Sequence, residues 1–383
     1  MGSSSTLYVA NPGNTTVNVK VTAWGASGEI SLPSAGQLSI APGKATQLAL
    51  ENSADADPQL ALRVQAEGGR VAAWVASQKL DGESAAGSDI ITSTASAGTS
   101  LTIGALSIDK AASQITPQAA AADAAATPSP SAAASATATP SAKATAKASA
   151  KASGADKASA TPSAKASAKA TPSATATPSA TATTAAASPS PSASADSLDL
   201  SGALNEPRLR VLNPGDKTAH VKVTLLGKSG PVQFAPASGL NVKAGQVADL
   251  PLGGLAQGTY GVKIDSDQPV SAAALSTSQG SEYPELSGQH IHDFTWSQAQ
   301  TGQGGVAMLP RQDVTSQLLL TNPSAQPKQV TLSAIGSNWT STLTLPALST
   351  QVAQVPDSVQ AVSVSGAVPA TLVSRETSGD QAG

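Results

Sequence analysis

Leu209-Arg210-Val211-Leu212-Asn213-Pro214-Gly215 decides the reading of this chain, because its pattern stands at three places. Leu7-Tyr8-Val9-Ala10-Asn11-Pro12-Gly13 is an earlier copy, and Leu318-Leu319-Leu320-Thr321-Asn322-Pro323-Ser324 is a later, weaker one. In each, a run rich in apolar and β-branched residues stops at an Asn-Pro corner. Proline fixes its own φ and pushes the preceding residue to an extended conformation, while a following glycine accepts positive φ. A type II turn after a strand is therefore expected at each corner. The corners repeat no reactive group, so they speak of architecture rather than chemistry.

The spacing outward from the corner is constant. Asn11 to Gly25, Asn213 to Gly227 and Asn322 to Gly336 each span 14 positions. Between them apolar residues alternate with polar ones: Val17, Val19, Val21 and Ala23, then Ala219, Val221, Val223 and Leu225, then Val330, Leu332 and Ala334. Period two marks a strand with one buried face, so Asn18, Lys20, His220, Lys222, Gln329 and Thr331 should face water. Further strands follow in register. Leu38-Ser39-Ile40, Leu240-Asn241-Val242 and Leu343-Thr344-Leu345 form one set, and Leu62-Arg63-Val64, Val262-Lys263-Ile264 and Val362-Ser363-Val364 form another. A final strand begins near Val71, Val270 and Val368. Short strands with regular turn signals predict an all-β protein of tandem immunoglobulin-like antiparallel β-sandwich repeats.

Composition narrows the function classes. Charged residues make up 12% of the 383 positions and aromatic residues 2%, so both charge and large anchoring side chains are scarce. A formal charge of −3 offers no basic face for nucleic acid. Cys 0 excludes disulfides, thiolate nucleophiles and thiolate metal sites. No uninterrupted apolar run is long enough to span a bilayer, and Met1-Gly2-Ser3-Ser4-Ser5 does not read as an export signal. The first copy begins abruptly, so an N-terminally trimmed chain is expected.

From Thr116 to Ser197 the sequence turns to Ala, Ser, Thr, Pro and spaced Lys, as in Ala138-Thr139-Pro140-Ser141-Ala142-Lys143. Burial there cannot repay the entropy of ordering, and a disordered spacer is expected. The resulting division is a first β-sandwich with its following connection over 1–115, a linker over 116–197, and further sandwiches over 198–280 and 281–383. The spacer would hold the first repeat apart from the others.

Candidate chemistry is thin. His290-Ile291-His292-Asp293 is the most metal-like cluster, since His290 and His292 share a face on a strand. Two imidazoles need further ligands that the neighbouring sequence does not supply, so His290 and His292 read as an exposed edge or loop. Gly227-Lys228-Ser229 lacks the upstream glycine of a phosphate loop, and Gly25-Ala26-Ser27-Gly28 lacks the strand-to-helix context of a nucleophile elbow. Asp265 and Asp267 begin a calcium-like pattern that fails at Val270 and Ser276. Glu282, Glu285, Asp293 and Asp313 are the carboxylates left for a hydrolase. Asn14-Thr15-Thr16 and Asn338-Trp339-Thr340 match the N-glycosylation pattern. Trp24, Trp74 and Trp339 read as packing residues. Tyr8, Tyr260, Tyr283, Trp296 and Trp339 are the aromatic groups a glycan site would draw on.

Beyond the three corners, Gly68-Gly69-Arg70-Val71-Ala72-Ala73 and Asp265-Ser266-Asp267-Gln268-Pro269-Val270-Ser271-Ala272 resemble an actinobacterial family of secreted or membrane-anchored proteins without assigned function. The connections Ser88-Asp89-Ile90-Ile91 to Ile103-Gly104-Ala105-Leu106, and His292-Asp293-Phe294-Thr295-Trp296 to Met308-Leu309-Pro310, are similar to that family's as well. The resemblance implies a repeated β architecture outside the cytoplasm and carries over no catalytic residue; with no Cys and only His220, His290 and His292, no metal, cofactor or catalysis is expected. The expectation is a non-catalytic envelope protein used for scaffolding or protein contacts, with a cell-wall glycan or other envelope polymer as the alternative ligand. The partner would be an unknown envelope protein or polysaccharide, not nucleic acid. Membrane attachment would come only through an anchor absent from this chain.

Overall fold

Valines at alternate positions build the first sandwich. A computed structural model describes residues 2–50, 59–81, 84–114, 206–283, 286–300, 302, 304–310 and 314–376. In it, β1 (Gly2–Ala10) pairs with β5 (Ala45–Ala49) and β7 (Ala72–Asp81), and β7 pairs with β8 (Ser84–Ile91). The facing sheet centres on β2 (Val17–Gly25), which pairs with β3 (Gly28–Ile30), β4 (Gln37–Ile40) and β6 (Ala61–Glu67). All these pairs are antiparallel. Leu7 and Val9 from one sheet meet Val17, Val19, Val21 and Ile40 from the other in a single core. Asn18 and Lys20 are exposed, as the alternation requires.

The second and third sandwiches repeat this plan. β10 (Arg208–Asn213), β11 (Ala219–Gly227), β12 (Gly230–Val232), β13 (Leu240–Val242) and β14 (Gln246–Pro251) match β1 to β5. The long β15 (Gly258–Tyr283) takes the parts of both β6 and β7. Residues 261–266 pair with β11, and residues 271–275 cross to the other sheet and pair with β10. In the third, β18 (Val314–Asn322), β21 (Ser349–Ala353) and β23 (Ala370–Glu376) face β19 (Lys328–Ala334), β20 (Thr340–Leu345) and β22 (Ala361–Ser365). The protein is all-β, with tandem antiparallel sandwiches; among the described residues the exceptions are the one-turn helix α1 (Lys110–Ser113) and two one-turn 3-10 helices.

The Asn-Pro corners are not type II turns. Gly13 and Gly215 keep negative or extended φ. Each is instead closed by its asparagine, whose Oδ1 accepts the N–H two residues on: Gly13 at 2.9 Å, Gly215 at 3.1 Å and Ser324 at 3.0 Å. An Asx turn needs no positive φ, which is why serine serves in the third copy. The same side chains also reach across the sandwich. Asn11 Nδ2 donates to Thr15 O and Ile40 O, and Asn213 Nδ2 to Lys217 O and Val242 O. Asn322 Nδ2 donates to Gln326 O and Pro346 O. All three asparagines are buried. Each is a buckle that ties a strand end to the far strand, satisfying carbonyls that burial would otherwise leave unpaired.

The repeats are not held apart. The segment following the first sandwich forms β9 (Gly98–Ile108), whose residues 101–108 are buried throughout. β9 lies along β15, with Ile103 beside Val262 and Leu101 beside Ile264, and Leu101, Ile103, Leu106 and Ile108 join the second core. The next connection behaves alike. β16 (Leu286–Gln300) pairs with β15, and β17 (Gly305–Met308) joins the third sandwich beside β22. Each connection thus donates a strand to the sandwich that follows it. The segment 98–108, counted with the first repeat on sequence, packs in the second.

The expected spacer over 116–197 lies outside the described residues. Both of its flanks are fastened to the second sandwich. Asp109 Oδ2 accepts Gln279 N–H at 2.7 Å, Ala112 O accepts Gly254 N–H at 3.0 Å, and Pro207 O accepts Leu252 N–H at 2.8 Å. All three sandwiches belong to one compact unit.

Candidate functional site

One interface is built twice in this chain. On the first sandwich, Trp24 points outward at the end of β2, out of phase with the core valines, and Ala61 opens β6 beside it. These two pack on Leu212 and Val247, neighbours on the outer face of β10 and β14. On the second sandwich the matching positions are Leu226 and Gly261, also cross-strand neighbours. Opposite Gly261 stand Thr321 and Thr350, the third-repeat equivalents of Leu212 and Val247. The approach is close: a Cβ on Gly261 would lie 2.4 Å from Thr350 Oγ1 and 2.6 Å from Thr321 Cγ2. Leu226, Thr321 and Thr350 are buried, Thr321 Oγ1 donates to Gly104 O at 3.0 Å, and Gln351 Nε2 donates to Lys228 O at 2.9 Å.

Among the described residues, three sandwiches joined by two such contacts leave one receiving half and one donating half without a counterpart. The leftover receiving half is the outer face of the first sandwich. There Ala10 and Ala45 hold the places of Leu212 and Val247. Tyr8 and Trp74 stack across β1 and β7 with ring centroids 5.6 Å apart, and Ile90 and Leu80 remain 68% and 47% exposed. The leftover donating half is on the third sandwich, where Ile335 and Ala361 hold the places of Trp24 and Ala61. Ile335 N donates to Ala361 O at 2.8 Å, and Ala361 pairs with Met308, so the three side chains form a row. Ile335 is 52% and Met308 66% exposed. The first sandwich also keeps an open sheet edge. Among the described residues β6 pairs with β2 alone, whereas its equivalents in the other sandwiches receive β9 and β17. Accordingly Leu62 and Val64 are partly buried, while Val262, Ile264, Val362 and Val364 are fully buried.

The first interface carries a charged layer. Arg210 lies over the Trp296 ring, grips both carboxylate oxygens of Asp249 at 2.8 Å, and donates to Leu60 O at 3.1 Å across the interface. Asp89 accepts Trp296 N–H at 2.7 Å, and burial pushes its carboxyl up against the pull of that bond. Lys79 sits 4.1 Å over the Phe294 ring. Burial, and then repulsion from Arg208 and Arg210, bring its ammonium down to about 8. These groups are spent on docking one sandwich to the next.

The sequence-derived candidates are scattered. His290 and His292 lie on β16 opposite Glu282 and Gln279, and His290 Nδ1 is 3.2 Å from Gly280 O. Among the described residues no group of three or more His, Cys, Asp or Glu could hold a metal ion. Asp265 is held by Lys263 and Ser100, and Asp267 by the backbone and Nδ1 of His220. Glu282 and Asp293 lie on paired strands, Glu282 opposite His290 and Asp293 opposite Ser278, while Glu285 and Asp313 lie outside the described residues. The loops after Gly25 and Gly227 are β-hairpins. Tyr260 is buried and donates to Ala256 O, and Trp339 packs on the third core. Of the aromatic candidates, Tyr8 joins Trp74 on an open face. Trp24 was legible as a packing residue but Leu226 and Ile335 were not, though a signal existed: all three precede the repeated glycine.

No curated protein and no solved structure matches this chain. The Family of unknown function (DUF5719) matches it twice, over residues 1–170 and 175–356. On that coverage, the chain belongs to the Family of unknown function DUF5719.

Proposed function

We propose that this is a non-catalytic protein of the cell envelope, placed outside the cytoplasm, that works as a scaffold by binding another envelope protein. The outer face of the first sandwich carries this reading. Its counterparts in the second and third sandwiches pack on the preceding repeat, whereas here, among the described residues, Ile90 and Leu80 are exposed and the stacked Tyr8 and Trp74 are half-buried. Exposed apolar surface on a sheet marks an interaction site. The ionisable groups support the non-catalytic side of the reading, since Arg210, Asp249, Asp89, Asp265 and Asp267 are engaged in internal pairs. The placement outside the cytoplasm rests on the resemblance to secreted and membrane-anchored proteins. A glycan or other envelope polymer is a second reading, favoured by the Tyr8–Trp74 stack, because aromatic rings also receive sugar faces.

Cross-linking of the intact chain in envelope fractions, with wild type and Ile90→Asp compared, tests the proposal. A specific cross-linked protein lost in Ile90→Asp is expected. Equal cross-linking by both proteins would reject the face as the binding surface. Turnover of envelope polysaccharide or peptidoglycan fragments would reject the non-catalytic reading.

A further inference from the structure

We infer that the partner met by the first sandwich includes a second copy of this chain, whose third sandwich docks head to tail. The inference rests on the scaffold reading and names an occupant for its surface. Three observations carry it. First, the chain twice joins the same two patches, Trp24 with Ala61 on Leu212 and Val247, and the Leu226–Gly261 site on Thr321 and Thr350. Second, the unused patches are the missing members of that series: among the described residues no sandwich packs on Ala10 and Ala45, and Ile335, exposed beside the buried Ala361, packs on no sandwich. Third, both are apolar and occupy the same strand positions as their used equivalents. Ile335 is a large outward side chain beside a small one, as Trp24 is beside Ala61. Ala10 and Ala45 are apolar cross-strand neighbours at the positions of Leu212 and Val247, smaller than these, with Tyr8 and Trp74 alongside.

Such a contact is heterologous, since the two patches differ. It leaves a free patch at each end of every dimer, so copies add in a row unless the rotation closes a ring. It is also weaker than the contacts within the chain. The Lys79–Phe294 and Asp89–Trp296 contacts that reinforce the first interface come from β7, β8 and β16, and the third sandwich shows no counterpart of β8 or β16 among the described residues. Within one chain the tether supplies a high effective concentration that separate copies lack.

Sedimentation equilibrium on the full chain tests this, from about 5 to about 500 µM, where mass action should draw out a weak contact. The average mass of the wild type should rise with concentration. Ala45→Glu blocks the receiving patch and Ile335→Glu the donating one. Both positions are exposed, so both variants should melt like wild type, and each alone should remain monomeric. An equimolar mixture of the two retains one intact pair of patches, and it should form dimers and nothing larger. A wild type that stays monomeric throughout would overturn the inference. So would variants that still associate singly, or a mixture that forms no dimer. If the wild type is monomeric yet Ile90→Asp loses an envelope cross-link, the scaffold reading stands and the second copy is not the occupant.

Discussion

Cutting the backbone between residues 115 and 205 should leave this protein in one piece. The reason is β9, which comes before the cut and is built into a core made after it. Leu101, Ile103, Leu106 and Ile108 are between 0% and 5% exposed. At about 1.5–3 kcal/mol for each buried aliphatic side chain, they contribute roughly 6–12 kcal/mol of gross attraction. Trp24 on Leu212 and Val247, and the Arg210 bond to Leu60 O, add to that. Holding two fragments together at about 1 µM requires a net of about 8 kcal/mol, after roughly 4 kcal/mol or more is lost to association entropy. With a site-specific protease sequence placed in 115–205 of the folded chain, the cleaved halves should therefore co-elute at about 1 µM and separate only in denaturant. Ile103→Ala should cost about 2–5 kcal/mol, since Ile103 is wholly enclosed beside Val262. The halves would then bind about 30- to 4,000-fold more weakly. Surface plasmon resonance between the halves measures it. Separation of wild-type halves at about 1 µM, or an Ile103→Ala affinity within about threefold of wild type, would refute the assignment of β9 to the second core.

Three further outcomes follow from single contacts. Asn213→Ala removes donors to Lys217 O and Val242 O and the acceptor for Gly215 N–H, and a loss of about 2–4 kcal/mol is expected in urea melts. Asn213→Asp should fare little better, because it cannot donate. Lys79 ionises at about 8 in the folded protein against an ordinary 10.5, so the unfolded chain holds the extra proton between those values and stability should rise as pH rises from about 8 to 10.5. Lys79→Met should abolish that rise and stabilise the protein at pH 7 by up to about 3 kcal/mol, read by calorimetry across pH. Gly261→Ala should cost about 1–3 kcal/mol by forcing a Cβ against Thr350 Oγ1, and Thr350→Ala in the same chain should restore part of it.

How much of this was legible beforehand differs by level. The inward set Val17, Val19, Val21 and Ala23 could be read directly, because a side-chain period of two leaves few alternatives to a half-buried strand. The Asn-Pro corner was legible as a turn but not as a buckle. The asparagine's partners, Ile40 O and Val242 O, lie far along the chain, and only the folded sandwich brings them near. The candidate surface was half legible: Tyr8 stood out as an aromatic group, whereas Ile335 carries no local mark that its outward side stays exposed.

The sequence by itself determined the repeat, the all-β class, the faces of the regular strands and the absence of cysteine chemistry. These depend on neighbours within a few residues, where periodicity and turn chemistry act. Only the tertiary structure decided which sandwich each strand serves, that the repeats dock on one another, and which faces stay bare. A strand such as β9 is apolar on both faces, so its pattern says that it is buried but not by what. Its partners on β15 stand 150 or more positions away in sequence, and their choice is made by packing around a core that no local pattern names.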